Sequence, residues 1–212
     1  MAQPRTPPGR AAFGGGLAIR ILACAAPLCL APAVADAAAI GEIPEKGLQG
    51  GLLAGVSHGD VDDPDGAVDA EIYLRLALLG AARLQANRRL LGEIFYHRYD
   101  TDPGGRAVGQ DVRRVGAALS YQAKFPRWPL APWAGAGLAY SSDRFEERVT
   151  VAADGFLDRR FPDRDDNTLA LVLNATAQRA WIRGWDVGIH VQYEQPVSGD
   201  ATTFTVAAVL LF

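Results

Sequence analysis

The final stretch of the chain, Ala201 to Phe212 (ATTFTVAAVLLF), constrains the fold more than any other. Counting back from the end, Phe212, Leu210, Ala208, Val206 and Phe204 fall on every second position, and Thr203 and Thr205 fall between them. Side chains of a strand alternate across the sheet, so this is a strand with one wholly apolar face. An open apolar edge aggregates, and closing the sheet into a barrel removes it by pairing the last strand with the first.

The same period recurs upstream. Leu48 to His58 carries Leu52, Ala54 and Val56 on one face. Val68 to Leu79 alternates most clearly, with Ile72, Leu74, Leu76 and Leu78 opposite Asp69, Glu71, Tyr73 and Arg75. Arg89 to Tyr99 sets Leu90, Ile94 and Tyr96 against Glu93, Phe95 and His97. Val108 to Lys124 sets Val115, Ala117, Leu119 and Tyr121 against Gln110, Arg114, Ser120 and Gln122. Pro132 to Asp143 contains WAGAGLAY, with Ala136, Leu138 and Tyr140 outward and Gly135 and Gly137 inward. Thr168 to Gln178 sets Leu169, Leu171 and Leu173 against Asn174, Thr176 and Gln178. Trp185 to Gln195 sets Trp185, Val187, Ile189, Val191 and Tyr193 against Asp186, Gly188, His190, Gln192 and Glu194. With the last strand these make eight, of about 11 residues each, the length a tilted strand needs to cross a bilayer. The predicted fold is all-β: an eight-stranded antiparallel up-and-down transmembrane barrel over residues 47–212.

Between the strands, connections alternate short and long. The longer ones carry Asp60, Asp62, Asp63, Asp65, Asp100 and Asp102, and the shorter ones Arg83, Arg88, Arg127, Arg179 and Arg183. Arg144 to Asn167 reads as the longest loop, and its VTVAA stretch as an extension of the hairpin above the membrane. Tyr96, Tyr121, Tyr140, Trp185, Tyr193 and Phe212 lie near strand ends on the apolar face, where interfacial girdles sit. Mean hydropathy is only +0.03, and no run of about 18 apolar residues exists, which argues against a helical membrane protein. A barrel escapes that test because half of each strand faces a polar interior. The net charge of −3 gives no sign of nucleic-acid binding.

The amino terminus reads as a secretory signal peptide over residues 1–37. Arg5, Arg10 and Arg20 precede the apolar run Ile21 to Ala35, and Ala35-Asp36-Ala37 supplies an A-x-A cleavage site. Pro27 and Pro32 break the run, so it is a poor transmembrane anchor, and Leu22 and Arg20 fit a lipoprotein signal at Cys24 badly. Both cysteines, Cys24 and Cys29, lie in this segment, which leaves the mature chain without thiol or disulfide chemistry. Residues 38–46 read as a short periplasmic segment.

In its alternating strands, its WAGAGLAY pattern and its terminal aromatic strand, the chain resembles the small bacterial outer-membrane barrels of the OmpA/OmpX/OmpW type. The resemblance implies the outer membrane of a Gram-negative cell and a structural, adhesion-related or stress-related role rather than catalysis. It further implies contact with lipid and lipopolysaccharide, handling by periplasmic chaperones and the barrel assembly machinery, and use of Phe212 as an assembly signal.

No motif fixes an activity, cofactor or metal. His58, His97 and His190 show no ligand spacing. The stretch Asp60 to Gly66 (DVDDPDG) fails as an EF-hand, because Pro64 stands at the fifth position and Gly66 at the seventh. Lipid A deacylases carry a His-x-Ser-Asn pattern, and here His190-Val191-Gln192 puts glutamine where the serine belongs. Ser57, Ser141 and Ser142 have no base near in sequence. A lipid A-modifying enzyme is therefore one alternative. A soluble lipocalin-like barrel is another, and would turn the apolar faces inward. For the transmembrane reading, the inward charges must pair. The expected lumen network is Glu71, Arg75, Glu93, His97, Arg114, Asp186, His190 and Glu194, centred on Glu93 between Arg75 and Arg114.

Overall fold

A computed structural model describes residues 47–59, 72–104, 107–182, 184–198 and 202–212. The chain divides into two units, residues 1–41 and 42–212, and all described residues belong to the second. The signal-peptide segment, the acidic loop from Asp60 and Glu71 lie outside them.

Nine strands follow in order: β1 Leu48–Gly59, β2 Ile72–Gln85, β3 Arg88–Thr101, β4 Gly109–Lys124, β5 Trp133–Val151, β6 Leu157–Arg160, β7 Arg164–Ile182, β8 Trp185–Pro196 and β9 Thr203–Leu211. Every pairing is antiparallel, each barrel strand pairs with its neighbours, and β9 returns to β1, with Ala54 opposite Ala208. β6 pairs only with β5, so eight strands close the ring. The strand alternation seen in the sequence is the alternation of burial. β2 reads exposed-buried from Ile72 to Leu79, and β9 reads buried-exposed from Thr203 to Ala208.

Three connections differ from the sequence reading. Gly80 to Arg88 is not a turn: β2 continues to Gln85, and only Ala86 and Asn87 separate it from β3. Gly80 faces Gly92 across the pair, extended, without the left-handed backbone a glycine turn would use. β7 likewise runs to Ile182, through the turn expected from Arg179, so Arg83, Arg88 and Arg179 lie in strands, not turns. The expected long loop from Arg144 is mostly sheet, since β5 and β7 run to 19 residues each. Glu147, with φ of 53°, sits where the register of β5 against β4 shifts between Glu146 and Val149.

Glycine is required where strands crowd the interior. A Cβ on Gly137 would run into the Leu119 carbonyl oxygen, and one on Gly135 into that of Tyr121. Both obstacles are backbone, which cannot rotate away. Gly137→Ala is expected to cost about 1–3 kcal/mol, the usual range for overpacking, read as a lowered urea midpoint with unchanged strand content by circular dichroism.

Candidate functional site: the lumen and the lipid-facing surface

The polarity of this barrel is inverted relative to a soluble one. Outward positions are apolar and open: Leu78 and Ile94 are each 60 % exposed, and Leu52, Val56, Leu119, Leu138 and Val206 also face out. A soluble lipocalin-like barrel would place these faces inside. Aromatic side chains flank the band. Tyr96 and Phe204 lie toward the long-loop end, and Tyr121, Trp181, Trp185 and Phe212 toward the short-turn end. The Trp185 and Phe212 rings meet at 5.1 Å between centroids.

Inside, small and branched apolar residues, among them Leu53, Phe95, Ala139, Val172 and Leu211, share the lumen with a hydrogen-bonded polar set. Arg75, 1 % exposed, is its hub. The guanidinium donates from Nε to Glu93 Oε1 at 2.9 Å, with Nη2 2.7 Å from the same oxygen, and from Nη1 to Glu194 Oε1 at 2.5 Å. The Phe95 ring packs against its face, 4.3 Å from Cζ to the centroid. From Glu194 the chain of bonds runs through Gln192, His190 and Thr176, with lengths of 2.8, 3.1 and 2.9 Å. Gln122 contacts Thr176 and donates to Asn174 at 2.8 Å. Arg89 donates to Gln122 at 2.6 Å and to Gln178 at 2.7 Å, and Gln178 donates to Asp186 at 3.1 Å. Nearly every polar group taken out of water thus has a partner, which is what offsets the cost of its burial.

The expected set is placed as follows. Arg75, Glu93, Glu194, His190 and Asp186 belong to this connected chain. Glu93 is not between two arginines: Arg114 makes a two-pronged pair with Asp143 instead, at 2.6 and 2.8 Å. His97 is fully buried and its ring nitrogens make no hydrogen bond among the described residues; it lies 5.2 Å from the Tyr73 ring and 5.1 Å from Phe95. The register explains the difference. Arg75 stands opposite His97 rather than Glu93, and Arg114 also stands opposite His97. Both hairpins turn later than the sequence suggests, because β2 and β3 run further than their glycine and aspartate signals imply. Arg75 still reaches Glu93 because its long side chain spans the offset. Asp143, Arg89 and Trp133 are further lumen residues outside the expected set, and Gln122 and Asn174, expected on the inward face, also join the network. Their inward parity in the alternation was the available signal, Asp143 included, since it ends the Pro132 to Asp143 strand on the same face as Gly135 and Gly137.

At the long-loop end Tyr73 stacks on Tyr99 at 4.4 Å, next to Val112 and Phe145, as a buried aromatic and apolar layer inside the barrel. The described histidines do not converge: His58 is exposed on the outside, while His97 and His190 lie buried in separate surroundings. Thr176 and His190 form a hydroxyl–imidazole contact, but they are 2 % and 1 % exposed. The pair is thus enclosed within the network rather than open to solvent.

Inverted polarity, closed ring, strand length and aromatic flanks define the class: an eight-stranded antiparallel transmembrane β-barrel. No family model matches the chain. No curated protein matches it in sequence either. Among solved structures it is similar to Ail, the attachment invasion locus protein of Yersinia pestis, solved with the heparin analogue sucrose octasulfate, at 11 % identity over 78 % of this chain and 99 % of that one, with a TM-score of 0.46. It is likewise similar to Neisserial surface protein A, at 14 % identity over 78 % and 96 %, with a TM-score of 0.49. A third similar structure is the outer membrane protein OprG from Pseudomonas aeruginosa, at 14 % identity over 77 % and 91 %, with a TM-score of 0.40.

Proposed function

We propose that this protein is an integral outer-membrane barrel of a Gram-negative bacterium with a closed lumen, acting through its outer surface as a structural or surface-interaction protein rather than as a pore or an enzyme. The observation that carries the reading is the inverted polarity, with an apolar belt outside and paired charges inside. Only a lipid surround makes that arrangement favourable, since water would penalise the belt and lipid would penalise an unpaired strand edge. Short turns then face the periplasm and long connections the exterior.

Two features favour the surface role. β5 and β7 project past the aromatic flank, and the tip joining β5 to β6 carries Phe156 and Leu157, 75 % and 63 % exposed. The lumen, in contrast, is filled by side chains, as an eight-stranded barrel allows. Outer-leaflet lipid and lipopolysaccharide surround the belt in this reading. Export by the amino-terminal signal, escort by periplasmic chaperones, and recognition of Phe212 by the assembly machinery belong to it too.

The test is fractionation of the native host with an SDS gel of unheated and boiled protein. The expected result is a membrane-fraction protein whose unheated form migrates apart from the boiled form, because a closed barrel resists the detergent. Recovery in the soluble periplasmic fraction would overturn the reading.

A further inference from the structure

The short-turn mouth of the barrel holds a cavity of about 210 Å³ that the lumen network does not fill. Its walls include Arg83, Lys124, Trp133, Gln178 and Asp186. The Trp133 indole, 2 % exposed, is surrounded by cations: Arg89 Cζ lies 4.5 Å from its ring centroid, Lys124 Nζ 5.6 Å and Arg83 Cζ 5.9 Å. Asp186 is the one acid on the cavity wall, and its carboxylate accepts from Gln178.

Arg89 packs on the same ring without itself lining the cavity. It is 2 % exposed, and Nε and Nη1 are spent on Gln122 and Gln178. Nη2 is buried and donates to nothing among the described residues. A buried guanidinium with an idle donor is costly, and so are like charges gathered round one ring. An oxyanion between Arg83 and Lys124 relieves the crowding of like charge, and arginine's fork of donors suits phosphate oxygens. The volume is ample for a tetrahedral oxyanion with several waters, each taking about 30 Å³ in the liquid.

We propose that this mouth is a binding pocket for a phosphate group, held by Arg83 and Lys124 on its wall, with the charge of Arg89 on the Trp133 ring adding to the positive field. That it opens to the periplasm rests on the orientation proposed above; that it binds does not, so the test is done in detergent micelles, where sidedness is irrelevant. Inorganic phosphate is titrated into the folded full-length barrel by calorimetry and by tryptophan emission. Saturable binding is expected, with an emission change lost in Trp133→Phe. Arg83→Gln combined with Lys124→Gln, two rim changes that spare the buried network, should weaken binding at least tenfold while the gel shift on heating stays intact. Glycerol 3-phosphate titrated alongside separates a free ion from the terminal phosphate of a larger molecule. Absence of saturable binding by either phosphate, affinity unchanged in the double variant, or acetate binding as tightly as phosphate would overturn the proposal.

Discussion

Arg75→Ala is expected to destabilise the barrel by about 3–5 kcal/mol, the range for breaking a buried ion pair by removing one partner. Arg75 holds two carboxylates, Glu93 and Glu194, in a site from which water is nearly excluded. Without the guanidinium, two acids face each other unpaired inside the lumen. Glu93→Ala should cost less, because Arg75 keeps Glu194 and the contact with Thr205 at 3.3 Å. Urea unfolding in lipid vesicles measures both, and the order of the two identifies the hub. Equal losses would move the hub back to Glu93. Arg75→Met with Glu93→Gln and Glu194→Gln should recover much of the stability, since the cost lies in stranding charges rather than in losing attraction. The intact network also implies a closed lumen. Planar-bilayer recordings of the native protein should show no large steady conductance, and a porin-sized open channel would contradict it.

Leu78→Arg should be nearly as damaging, by about 2–4 kcal/mol, the cost of a cation on the lipid face near the bilayer midplane. Leu78 stands at the middle of the outward row of β2 that runs from Ile72 to Leu84, and it is 60 % exposed. The sign makes the experiment decisive. On a soluble barrel an exposed leucine changed to arginine is close to neutral, because the charge stays in water. On a lipid-facing belt the guanidinium must shed its hydration or thin the bilayer around itself. The measurement is the unfolding free energy of the variant in vesicles against the native protein. A difference within about 0.5 kcal/mol, the usual size of a harmless surface change, would show that Leu78 does not face lipid.

The alternation of residue types by itself determined which way each side chain points. Leu74, Leu76 and Leu78 could only share one face, with Tyr73 and Arg75 on the other, because the strand repeat is two residues. Strand number and closure follow from the same pattern, repeated eight times with both an apolar and a polar set; which set faces out the pattern left open between a transmembrane and a soluble barrel, and the structure turns the apolar set outward. Parity is insensitive to where a hairpin turns, so long as the slip is even. The sequence reading set Arg75 against Glu93, and the structure sets it against His97, four positions on. Every side chain keeps its face through that slip, which is why the pattern could not detect it.

Only the tertiary structure decided who pairs with whom. Arg114 finds Asp143 on β5 rather than Glu93 on β3, while Glu194, one of the acids the sequence already set in the lumen, is the one that completes the site of Arg75. Those choices depend on register, on the curvature that closes the ring, and on how far a long guanidinium reaches across it. The gathering of Arg83, Arg89 and Lys124 round Trp133 has the same origin. Closure brings the ends of β2, β3, β4 and β5 to one mouth, and a one-dimensional period of two carries no information about which side chains meet there.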